Sequence, residues 1–119
     1  MYGVPINLDL SGFKAATLTQ VAIGEYQIQF HFHPEGYISV EGKWELRDSA
    51  GVLLDCAKDT NAERDAYRVH IILGKCVESY TVNAPDSFSI QFESGHILTV
   101  FDDSKQYESF SIQPGDIFV

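Results

Sequence analysis

The chain has 119 residues, 45% of them hydrophobic, enough for one domain with its own core and too apolar for a disordered chain. Its formal net charge of −9 repels phosphate backbones, which excludes nucleic acid as a direct partner and favours a basic one. No apolar run approaches the roughly 20 residues of a membrane span, and Met1–Asn7 lacks the basic and apolar regions of a secretory signal, so no membrane association and a cytoplasmic location are expected.

Residues 1–16 carry Gly3, Pro5 and Gly12 without a sustained period and read as an N-terminal arm. Thr17–Ile23 reads as a strand, turned by Gly24 and Glu25 into Tyr26–Phe32, the clearest alternation in the chain. There Tyr26, Ile28, Phe30 and Phe32 share one face, and Gln27, Gln29, His31 and His33 the other. Short strands follow over Tyr37–Val40, Lys43–Arg47 and Val52–Cys56, the last expected to be buried, with turns at Pro34–Gly36, Glu41–Gly42 and Asp48–Gly51. Thr60–Gly74 predicts the one helix. Thr60 and Glu63 form a capping box, Ala62, Ala66, Val69, Ile72 and Leu73 an apolar stripe, and Gly74 a C-terminal stop before Lys75. Strands resume over Cys76–Val82, Ser87–Phe92, His96–Phe101, Tyr107–Gln113 and Ile117–Val119.

The two halves resemble each other. Gly12–Phe30 aligns with Gly74–Phe92 without a gap, the segment Gly36–Val40 with Gly95–Val100, and Trp44-Glu45 with Tyr107-Glu108. The expected fold is therefore α+β and mostly antiparallel: two meander repeats, 17–56 and 76–119, forming a curved sheet or half-barrel with the helix of 60–74 laid on it.

No motif for catalysis, a cofactor or phosphate binding is present, and none of these is expected. His31 and His33 share a strand face, as strand-borne metal ligands do, but no third ligand follows at suitable spacing and their neighbours Gln27 and Gln29 are polar. A solvated or interface face outweighs a metal site there. His70 and Cys76 have no spacing that supports a nucleophile–base pair, and Cys56 and Cys76 read as reduced, buried thiols. Glu108 shares a strand face with Phe110 and Ile112, so it is either a carboxylate at a site or one neutralised at the sheet's end.

Charge is uneven. Residues 1–75 hold ten acids against seven Lys or Arg; residues 76–119 hold seven acids against Lys105 alone, a balance of −6. Meander turns alternate between ends, which puts Asn83–Asp86 and Asp102–Lys105 at one end. Asp86, Asp102 and Asp103 then form an acidic edge beside Tyr107 and Glu108, a surface suited to a basic protein with an aromatic anchor.

The residues Leu73-Gly74, Phe92–Gly95 and Tyr107-Glu108-Ser109, within the ending F-D-D-S-K-Q-Y-E-S-F-S-I, resemble those of a family of small bacterial domains of unknown function; that resemblance implies a fold and no activity. In size and charge the chain is also similar to the immunity proteins of bacterial toxin systems. The resulting expectation is a non-catalytic immunity protein that occludes the active site of a basic, nuclease-type toxin domain. The alternatives are a β-domain that binds or converts a small molecule through Glu108 and the His31/His33 pair, and a module that homodimerises through the His31/His33 face.

Overall fold

The computed structural model describes residues 4, 6–34, 36–57, 66–102, 110–113 and 117–118. Ten strands occur among them: β1 (Thr17–Ile23), β2 (Ile28–His33), β3 (Tyr37–Val40), β4 (Trp44–Arg47), β5 (Leu53–Cys56), β6 (Val77–Asn83), β7 (Ser87–Phe92), β8 (Ile97–Phe101), β9 (Phe110–Gln113) and β10 (Ile117–Phe118). All pairings are antiparallel and form two five-stranded sheets, ordered β1-β2-β3-β9-β10 and β5-β4-β8-β7-β6.

Period-two alternation decides which side of each sheet is dry. Ile28, Phe30 and Phe32 of β2 are buried, as are Phe88, Ile90 and Phe92 of β7, while the intervening Gln29, His31, Ser89 and Gln91 lie on the outer faces. The inner faces of both sheets share one apolar cluster. Phe30 meets Trp44 of the other sheet edge-on at 6.0 Å between ring centroids, a geometry favoured by the ring quadrupoles.

Each half of the chain contributes to both sheets. β1-β2-β3 belong to the first sheet, but the turn 41–43 carries the chain across, so β4 and β5 complete the second sheet beside β8. Correspondingly, β6-β7-β8 lie in the second sheet and β9-β10 complete the first beside β3. The expected pair of separate meanders on one curved sheet is thus replaced by two halves that exchange their last two strands. The three-residue link at 41–43 is compatible with either a hairpin or a crossing, so local sequence does not select between them and packing across the fold does. The repeat also has a different register. Leu18 pairs with Phe32 ahead of a bulge, and Val77 pairs with Phe92 ahead of a matching bulge. Phe92 therefore corresponds to Phe32, not Phe30, and Trp44, opposite Val100, corresponds to Phe110, opposite Val40.

The helix expected over Thr60–Gly74 is not formed. Residues 60–65 lie outside the described set, 66–68 are not helical, and Val69–Ile72 make a single 3-10 turn. No α-helix occurs among the described residues. Of the expected stripe Ala62, Ala66, Val69, Ile72 and Leu73, only the three-residue step from Val69 to Ile72 is used, and a 3-10 turn satisfies that step as well as an α-helix does. Both side chains are buried. Propagation stops because Leu73 is extended and Gly74, at φ +81°, donates its N–H to the carbonyl of Leu18 at 2.8 Å. The start of β1 therefore captures the segment through hydrogen bonds that a helix would forgo.

The first half repeats this device. Ser11–Phe13 is a 3-10 turn, Leu10 and Phe13 are buried as Val69 and Ile72 are, and Ala15 takes a left-handed φ of +67° where the second half has Gly74. Ala15 donates to the Val77 carbonyl as Gly74 does to that of Leu18. The segment read as an arm therefore contributes Val4, Leu8, Leu10, Phe13 and Ala16 to the core. Two local expectations also change. Tyr26, assigned to a core face, precedes β2 and is exposed; β5, expected to be buried, is an edge strand with Leu53 and its neighbour Val52 exposed.

Candidate partner-binding site

The turn between β6 and β7 and the end of β8 meet at one end of the second sheet. Ser87 pairs with Phe101, and the next residues outward, Asp86 and Asp102, are joined by a hydrogen bond from the Asp102 N–H to the Asp86 carbonyl at 2.9 Å. Asp86 is exposed and Asp102 half-buried. The ladder brings them together: with Ser87 opposite Phe101, antiparallel geometry leaves their outward neighbours side by side. Asp103, Tyr107 and Glu108, the other residues assigned to this edge, lie outside the described residues.

Lys43, just ahead of β4, and Arg47, at its end, are the cations of this part of the second sheet. Phe101 donates its N–H to the Lys43 carbonyl at 3.0 Å, and the Lys43 ammonium lies 4.7 Å from the centre of the Phe101 ring. Glu45, one step along the outer face, is 4.0 Å from Lys43 and 3.3 Å from Arg47. Arg47 also donates to the Gly51 carbonyl at 2.9 Å. Both cations thus lie within 4.0 Å of the Glu45 carboxylate on the outer face of the second sheet.

The His31/His33 face has a different character. His31 is hydrogen-bonded to Gln29 at 2.9 Å, and its ring tilts against Tyr37 with centroids 5.0 Å apart. His33 sits at the exposed end of β2, opposite Thr17. His70 is exposed on the second 3-10 turn, and His96 is bonded to Ser94 at 2.8 Å. The described histidines are therefore dispersed, and among the described residues no three His, Cys, Asp or Glu side chains gather as metal ligands do. Cys56 and Cys76 are only half-buried, so neither is the fully buried thiol expected; Cys76 lies 3.4 Å from the Thr17 hydroxyl.

One buried carboxylate has no counterpart among the residues singled out in the sequence. Asp55, on β5 opposite Leu46, accepts hydrogen bonds from the N–H groups of Cys56 at 2.9 Å, Arg68 at 2.8 Å and Val69 at 2.9 Å. It caps the second 3-10 turn from 13 residues away in sequence. A carboxylate occupied by backbone donors is a structural tie, not an acid or base poised for a substrate. The only sequence signal was an Asp inside an apolar run.

No helix among the described residues is long and apolar enough to cross a membrane. Set against protein-family models, curated proteins and solved structures, the chain matches none of them, so the reading of this corner rests on its own geometry and charge.

Proposed function

We propose that the chain is a cytoplasmic binding protein, an immunity protein that occupies the active site of a basic, nuclease-type toxin domain without catalysing a reaction. The observation that carries this reading is the Asp86–Asp102 corner, two acids held side by side by a backbone hydrogen bond and continued in sequence by Asp103, Tyr107 and Glu108. Nuclease active sites are lined with cations that hold phosphates. An acidic loop pair presents to those cations the negative charge that the phosphates carry, and opposite charge steers association at long range. Backbone pairing fixes the spacing of the two acids, which reduces the ordering cost of binding.

Affinity purification from the cells that produce the protein, followed by nuclease assay and salt titration of the recovered partner, tests the proposal. The expected result is one basic protein whose nuclease activity is abolished at equimolar inhibitor. Its affinity should fall at least tenfold between low and high salt and fall further in the Asp86→Lys, Asp102→Lys double variant. Recovery of no protein, or of the chain itself as a dimer, would overturn it.

A further inference from the structure

We draw no further inference here: the strongest candidate, the polar outer face of the first sheet around His31 and Tyr37, has its side chains bonded to one another, Gln29 with His31 and Gln27 with Ser39, and nothing in the structure shows what covers it.

Discussion

The two halves of this molecule use one backbone plan with different side chains at its critical points, and the differences show which points are adjustable. Each half leads into its first long strand through a 3-10 turn and a left-handed residue. In the first half the turn is capped locally by exposed Asp9, which accepts from the Ser11 N–H at 2.9 Å, and the left-handed residue is Ala15. In the second the cap is buried Asp55, reaching across from β5, and the left-handed residue is Gly74. One cap can be formed wherever the sequence places Asp two residues ahead of the turn; the other exists only once β5 has docked. The halves also differ at their first hairpins, which place four residues between Ile23 and Ile28 in one and five between Val82 and Phe88 in the other.

Substitutions that strike the shared core should not distinguish the halves. Phe30→Ala removes a fully buried ring and its edge contact with Trp44, so stability should fall by about 3–5 kcal/mol in chemical denaturation. Because both sheets close on the same cluster, amide exchange should accelerate in β7 and β8 as well as in β2. Protection retained in the second sheet would show that the sheets unfold independently.

The caps should differ strongly. Asp55→Ala leaves the N–H groups of Arg68 and Val69 without this acceptor, at a cost of at least about 2 kcal/mol, since each buried unsatisfied donor costs roughly 1–3 kcal/mol. Asp9→Ala should cost much less, because water replaces the lost bond. Equal losses would refute the contrast. The Asp9 carboxyl is held below the ordinary carboxylate range by the side-chain and backbone hydrogen bonds of Ser11. A depressed folded-state pKa contributes stability above the unfolded value, and that stability is lost as pH falls through the lower folded value. The contribution of Asp9 should thus fade only below about pH 4 and be missing from the acid titration of Asp9→Asn.

The smallest effects are expected at the left-handed pair. A left-handed conformation costs an L-residue about 1–2 kcal/mol, partly offset by the greater freedom of glycine in the unfolded chain. Ala15→Gly should therefore gain up to about 1 kcal/mol and Gly74→Ala lose about as much. An added Cβ at Gly74 meets nothing within 4 Å, so no clash would obscure the result. Changes of the same sign at both positions would show that Ala15 and Gly74 do not play equivalent parts in the two halves.

Much of the architecture is legible in the sequence. Alternation gives Ser87–Phe92 the bounds that β7 has, because alternating apolar and polar residues report directly on a half-buried strand, and Thr17–Ile23 has the bounds of β1 without alternating. The juxtaposition of Asp86 and Asp102 follows from counting turns. The expected helix is not formed among the described residues because only the Val69–Ile72 step of its apolar stripe is used, in a 3-10 turn that hydrogen bonds to β1 then end. The buried ends of 4–16 escape a reading by pattern because they lack any period: Val4, Leu8, Leu10, Phe13 and Ala16 are buried one at a time, by whatever lies over them. Tyr26 is assigned inward when the alternation is extended two residues past the point where the hairpin turns.

By itself, then, the sequence determined most of the strands, their alternating faces and the acidic bias of the second half, all properties set by neighbours close along the chain. Tertiary structure decided the exchange of β4-β5 and β9-β10 between sheets, the capture of Gly74 by β1, the remote cap at Asp55 and the exposure of Tyr26. Each of these depends on which groups meet across the fold, and a period of two or three residues carries no information about a partner tens of residues away.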